Sequence, residues 1–385
     1  MKTAVLISSV VLLLPLTCVQ AQRPGGGGGR GLANALKLYP EADTNKDGTL
    51  TMAEALAFVN AHPEVKAKLL ELRPTRSRST GPGVSQPGTR STPASKGLPP
   101  GPRVFVCAHS FMIFTGTQLP SVAEAAGIAY QDAGTQMIGG SPTIKHWQVP
   151  DEQNLAKKVL REGAVDVLLV SPHVILPDEG IDNFTKLGLE KNPGLRVLVQ
   201  ASWPTRDGNL SGFKNEDRNA ATATSLREQR AGYEAAWLRP LEAQVEAINA
   251  EVGKRAVFIV PAGKAVFALR ERVAAGTAPG LTEQTDLFRD DLGHPQPPLA
   301  ALVTYCHFAA IYGRSPVGLP VPAILEAAPG AEALNRVLQE IAWEAVSTYP
   351  LSGVGGASGE PATDATDGEA GPKPLAEKEP EPAKG

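Results

Sequence analysis

A hydroxyl nucleophile at neutral pH needs a base to take its proton, and the base needs a carboxylate to orient it. Three residues of this chain have the types and spacing for that work. Ser110 stands in Ala108-His109-Ser110-Phe111, directly after an apolar run. Asp291 and His294 stand three residues apart in Phe288-Arg289-Asp290-Asp291-Leu292-Gly293-His294-Pro295, so one turn can aim both into one crevice. Ser110 is then the nucleophile, His294 the base and Asp291 the orienter, with Asp290 as the alternative carboxylate. The reaction such a set performs is acyl transfer, whose oxyanion needs donors aimed at it. The backbone N–H groups of Ser110 and Gly140 supply two, and His173 supplies a third. Trp203, in Ser202-Trp203-Pro204, is either a substrate platform for a sugar ring or a core aromatic. His109 and His146 read as structural, and His307 as core. A metal-hydrolase set of His109, His173, His294 and Asp291 is the weaker pattern, because its members are isolated rather than paired at helical spacing.

A second constellation lies near the start. Asp43, Asn45 and Asp47 place side-chain oxygens at positions one, three and five of a twelve-residue loop. Thr49 gives its carbonyl at seven, Thr51 acts at nine, and Glu54 closes the loop with two oxygens at twelve. Gly48 makes the turn at six. Hard oxygens in that order suit Ca2+. The stretch resembles the EF-hand family over about forty residues, with flanking helices expected at 32–38 and 52–59. Such loops normally pair, so a lone one predicts a weak site or a homodimer made through it.

The elements that must position the first set follow from hydrophobic periodicity. Apolar runs predict strands over 104–107, 128–131, 165–170, 196–200 and 256–260. Helical patterns fall between and after them, at 119–126, 154–162, 181–189, 226–252, 264–274 and 299–312, and a terminal helix is expected over 331–349. In 226–252, Leu238, Leu241, Val245, Ile248 and Val252 recur at helical spacing. Apolar strands with helical crossovers imply an α/β fold, a five-stranded parallel sheet covered on both faces. The flavodoxin-like three-layer sandwich is the leading topology, joined to a small N-terminal helical EF-hand unit. In such sheets ligands bind beyond the carboxyl ends of the strands, which is where Ser110, Gly140, His173 and Trp203 fall.

This order of residues resembles the SGNH (GDSL-like) hydrolase superfamily. The likeness covers roughly 104–319 and is carried by the strand leading to Ser110, by Asp291-x-x-His294, and by Tyr305–Leu319, with Tyr312-Gly313-Arg314-Ser315-Pro316, which looks like the final helix of a branch of that family. It implies acyl-ester hydrolysis without a cofactor, with Ser110 as nucleophile, His294 as base, Asp291 as orienter and Gly140 in the oxyanion hole. Two positions depart from the family pattern. The usual Gly-Asp-Ser is Ala108-His109-Ser110, and the usual Asn is His173, which can still donate. The competing reading is a catalytically degenerate scaffold that serves as a calcium-dependent binding protein.

Composition sets the boundaries. The chain has 385 residues with 37 basic and 40 acidic, a net charge of −3, which argues against nucleic acid held by bulk charge. Residues 1–21 read as an export signal cleaved after Ala21, with Lys2, an apolar stretch and Val19-Gln20-Ala21. The mature protein is then exported, periplasmic or secreted, with no integral membrane span. Residues 22–72 hold the calcium unit. Residues 73–103 form a basic linker rich in Pro, Ser, Thr and Gly, too poor in apolar residues to order itself. The hydrolase-like domain takes 104–322, a C-terminal helix 323–350, and a disordered tail 351–385. Cys107 and Cys306 are expected as two buried thiols, one on a strand and one on a helix. The expected substrate is an acyl ester of a small molecule or a glycan.

Overall fold

The computed structural model describes residues 97–209 and 212–354 continuously, and before them the strand Gly83–Ser85 and individual residues between 36 and 65. The expected signal segment, the glycine-rich lead, Asn45, Asp47, Thr49 and Thr51 of the calcium loop, most of the linker and the tail from 355 onward lie outside the described residues.

Short apolar runs become strands here because both of their faces can be buried. The strands are β1 (Gly83–Ser85), β2 (Pro100–Ala108), β3 (Ala129–Met137), β4 (Val167–Val170), β5 (Arg196–Gln200) and β6 (Val257–Val260). They lie in the order β1-β3-β2-β4-β5-β6. Strands β2 to β6 are parallel throughout, while β1 runs antiparallel on the edge of β3. Taken alone, the five parallel strands follow the 2-1-3-4-5 order of flavodoxin-like sheets. Every residue of β4 and of β6 is buried, as expected of strands covered on both sides.

Helices are α1 (Ile113–Ala125), α2 (Thr143–Trp147), α3 (Leu155–Arg161), α4 (Glu179–Leu189), α5 (Ala223–Tyr233), α6 (Arg239–Glu251), α7 (Ala262–Ala274), α8 (Pro297–Tyr312) and α9 (Ala331–Ser347). Side-chain alternation along β2 divides the core. Val104, Val106 and Ala108 join α1, α7, α8 and α9 in one apolar cluster. Phe105 and Cys107 face the other way, into a second cluster with α3, α4, α5 and α6. Helix α9 therefore belongs to the main body, where Leu334, Leu338, Ile341 and Val346 are buried. Cys107 and Cys306 are free, buried and on opposite faces of the sheet, and burial pushes both thiols up, so they stay protonated. Among the described residues no helix is long and apolar enough to cross a membrane.

Three expectations need correction. The 226–252 helix is two helices joined by a π-turn at Glu234–Leu238. Pro240 has no N–H to give the preceding turn, and the ladder widens there. Part of the linker is ordered: Gly83–Ser85 pairs with Thr135, Gln136 and Met137, and β2 already begins at Pro100. That pairing is made by backbone groups, so composition does not reveal it. The expected tail also starts late. Pro350–Ser352 forms a short 3-10 turn and Val354 is buried in the main cluster. Gly353 makes this turn at φ +77°, where a Cβ would press into the Phe258 ring.

Candidate active site

Ser110 leaves the carboxyl end of β2 on a tight turn into α1. The N–H groups of Met112 and Ile113 both donate to the His109 carbonyl, at 3.0 Å each. The turn leaves Ser110 half-buried while its neighbours His109, Phe111 and Met112 are buried. The Ser110 hydroxyl lies 2.8 Å from His294 Nε2, and His294 Nδ1 lies 2.7 Å from Asp290 Oδ2. A carboxylate at Nδ1 fixes the proton there, so Nε2 presents its lone pair to the Ser110 hydroxyl. The fold thus brings Ser110 and His294, far apart in sequence, within one hydrogen bond.

The carboxylate that meets His294 is Asp290, where the sequence expectation placed Asp291. Three-residue spacing would align a pair on a helix, but this segment is a turn. It is closed by the Gly293 N–H to the Asp290 carbonyl at 3.0 Å, and Gly293 takes φ +96°, a conformation that costs glycine least. The chain thereby folds back over Asp290, whose Oδ1 accepts the N–H groups of Gly293 and His294, each at 3.1 Å. Partial burial works to raise the Asp290 carboxyl, but the hydrogen bonds from the His294 ring and backbone prevail and hold it at about 2. Asp291 turns to Lys214 and Asn215 instead. Its Oδ1 accepts the Asn215 N–H at 2.9 Å and its Oδ2 faces Lys214 at 3.5 Å.

Trp203 is a core residue, not a platform. It is 4% exposed, stacks on Phe111 at 4.9 Å and 13°, and donates from Nε1 to the Gly293 carbonyl at 2.9 Å. Phe111 in turn meets the His294 ring edge-on at 5.1 Å. The packing that buries the indole therefore also seats the His294 ring.

His109 stands where the resembling family has aspartate, and it is occupied structurally. Its Nδ1 accepts the Phe111 N–H at 3.2 Å, which leaves Nε2–H to donate to Ser171 at 2.9 Å. Burial pushes it down to about 4, so it is neutral at pH 7. Ser171 continues to Ser202 at 3.3 Å, and the Gln200 amide donates to Ser202 at 2.7 Å and to the Phe111 carbonyl at 3.0 Å. His307 donates to Gln200 Oε1 at 2.8 Å. This polar layer under the Ser110 turn is linked through its own members, with only His307 Nδ1 among them left without a hydrogen-bond partner.

The two expected oxyanion contributors flank Ser110 by sheet register. Ala108 of β2 pairs with Met137 of β3, and Gly140 follows in a left-handed turn at φ +57°. That turn is fixed by Ile138 N–H to the Ala108 carbonyl at 3.0 Å and by Ser141, whose hydroxyl donates to the Ile138 carbonyl at 2.9 Å and lies 3.1 Å from His146. His146 is buried and structural, and burial pushes it down to about 3. His173 follows β4, the other neighbour of β2, with its ring 5.7 Å from that of His109. Asp178 links the two loops, accepting the N–H of Ile144 at 2.8 Å and of Gly180 at 3.0 Å. Among the described residues no group of three or more His, Cys, Asp or Glu could hold a metal ion.

Sequence reading passes over a charged cluster behind the Asp290 turn. Arg218 has a fully buried side chain beside Asp207 at 3.4 Å, and Arg270 grips the same Asp207 at 3.1 and 2.6 Å. Arg206 and Asp207 both take left-handed backbone, φ +49° and +52°, strain of about 1–3 kcal/mol each that surrounding contacts must hold. Arg206 N–H also donates to the Leu292 carbonyl at 3.2 Å. No periodicity marks these residues in sequence.

In comparison with known proteins, no protein-family model matches the chain and no curated protein does. Among solved structures the chain is similar to the crystal structure of a DUF4886 family protein from Bacteroides uniformis, with 17% identity and a TM-score of 0.43 over 64% of this chain and 95% of that one.

Proposed function

We propose that this chain is an exported serine ester hydrolase of the SGNH type, acting on an acyl ester of a small molecule or a glycan. The observation that supports this most is the continuous relay of Ser110, His294 and Asp290, with links of 2.8 and 2.7 Å. In this reading Ser110 Oγ bonds to the acyl carbon while its proton passes to His294 Nε2. The carbonyl electron pair moves onto oxygen, where the N–H groups of Ser110 and Gly140 and the side chain of His173 receive it. Collapse of that intermediate breaks the ester C–O bond, and His294 gives its proton to the departing alcohol. Water then repeats the sequence on the acyl-enzyme, with His294 again as base, and releases the acid. Asp290 stays ionised throughout and stabilises the imidazolium. The relay also weighs against the degenerate-scaffold alternative, since the His109 departure leaves Ser110 and His294 within one hydrogen bond. The test is p-nitrophenyl acetate hydrolysis: Ser110→Ala is expected to abolish it, and equal turnover by that variant would refute the reading.

We further propose that the 43–54 loop binds Ca2+, apart from the hydrolytic chemistry. The residues that would hold the ion are Asp43, Asn45, Asp47, Thr49, Thr51 and Glu54. Asp43 is buried, its Oδ2 accepts the Gly48 N–H at 2.9 Å, and its Oδ1 has no hydrogen-bond partner. A buried carboxylate oxygen left over in this way suits a cation. Gly48 turns the loop at φ +79°, and Glu54 reaches back to accept from the Thr44 N–H and hydroxyl at 3.0 Å each. The bound ion supplies loop stability, and a second copy of the loop is the natural partner in a homodimer.

A further inference from the structure

We propose that Arg218 is a positioning residue for the Asp290–His294 pair, acting on the backbone of the turn that carries Asp290. The inference rests on the reading of Ser110, His294 and Asp290 as a catalytic triad. Arg218 Nη1 donates to the Asn215 side-chain oxygen at 2.7 Å and to the Asp290 carbonyl at 3.2 Å, and Nη2 donates to the Asp291 carbonyl at 3.0 Å. A guanidinium can do this because its donors form a rigid planar fork. The guanidinium packs over two aromatic rings, Phe213 at 4.8 Å and Phe288 at 4.6 Å. Its charge is met by Asp207, which Arg270 locks in place.

The turn is therefore held from two sides. Inside, the Asp290 carboxylate gathers the Gly293 and His294 N–H groups and the imidazole. Outside, Arg218 binds two successive carbonyls and packs so close that a Cβ on Gly293 would lie 3.1 Å from Nη2. Without it the Asp291 carbonyl loses its donor, the Asp290 carbonyl keeps only the Gly293 N–H, and the turn loses the contact that sets its depth. Asp290 Oδ2 then no longer stays at hydrogen-bond distance from His294 Nδ1. A residue that only stabilises the fold would not act through Asp290 in particular, and that difference is measurable.

The experiment uses the full mature chain and p-nitrophenyl acetate, comparing wild type, Arg218→Met, Asp290→Asn and the double variant. Arg218→Met is expected to lower kcat about 100-fold with KM unchanged, the cost of misplacing a catalytic group by about an ångström. In the Asp290→Asn background the same change is expected to cost less than about threefold, because the residue it acts through is already lost. Arg218→Met folded and within threefold of wild type, or the full loss repeated in the Asp290→Asn background, would overturn the proposal. Should the methionine variant fail to fold, Arg218→Lys is read by the same two criteria, since a single ammonium cannot reach both carbonyls and Asn215 together. Turnover by Ser110→Ala equal to wild type removes the triad reading itself, and so is distinct from a failure confined to Arg218.

Discussion

Replacing Asp290 by Asn, beside the same change at Asp291, separates two carboxylates that adjoin in sequence and differ in role. Asp290 is held at about 2 against an ordinary 3.8. That difference is worth about 2.5 kcal/mol at 1.36 kcal/mol per unit, and about 1 kcal/mol after screening of a carboxylate that is 41% exposed. This is the coupling before any proton moves. The larger effect arises in the transition state. An amide at position 290 can present N–H to His294 Nδ1, which drives the ring proton to Nε2 and leaves the Ser110 hydroxyl no acceptor. Loss of tautomer and of imidazolium stabilisation together are expected to lower kcat by roughly 10⁴, about 5.5 kcal/mol on the barrier. Asp291→Asn keeps an oxygen for the Asn215 N–H and loses only an exposed Lys214 contact at 3.5 Å, so kcat is expected to stay within about threefold. The assay is p-nitrophenyl acetate hydrolysis by both variants. A large loss in Asp291→Asn with near-wild-type turnover in Asp290→Asn would refute the assignment. Stability gives an independent check. Because the folded pKa is depressed, the Asp290 contribution is present above about 3.8 and is lost as pH falls toward 2. The stability gap between wild type and Asp290→Asn should therefore close over that window.

Two further outcomes are expected. Burial pushes His109 down to about 4 and His146 and His307 to about 3, so all three are neutral in the fold and take up protons near 6.5 when unfolded. Stability is then full above pH 6.5 and falls as pH drops toward 4, with a slope near pH 5 of about 4 kcal/mol per unit from roughly three protons. Urea midpoints that do not change between pH 6.5 and 4.5 would contradict this, and His307→Gln is expected to remove about a third of the slope. For the calcium loop, calorimetric titration of the full chain is expected to show uptake in the range of roughly 10⁻⁴–10⁻³ M, with none in Glu54→Gln; no uptake by wild type would contradict the proposal.

The strands were readable because fully buried parallel strands are short apolar runs, and 196–200 matches β5 at both ends. The place of Ser110 was readable for a related reason: a small polar residue just past such a run sits at the ligand-binding end of the sheet. The choice between Asp290 and Asp291 was not, since it depends on a left-handed Gly293 and on a carboxylate that wraps its own backbone. Trp203 left two options open because an aromatic after a strand looks alike in sequence whether it stacks on Phe111 or faces a ligand. Arg218 carried no signal at all. It lies in the polar stretch Lys214-Asn215-Glu216-Asp217-Arg218, and its burial comes from Phe213, Phe288 and Asp207, distant or aperiodic in the chain. The departure at His109 is explained by contacts no sequence pattern contains, its bonds to Ser171 and to the Phe111 N–H.

The central claim is that His294 activates Ser110, and it is tested most directly by covalent labelling. The mature wild-type protein, Ser110→Ala and His294→Ala would be treated with a fluorophosphonate probe and the modified peptide mapped. The account predicts one adduct, on Ser110, absent from the first variant and strongly reduced in the second. A folded wild-type protein that takes no label, or takes it on another serine, would contradict it.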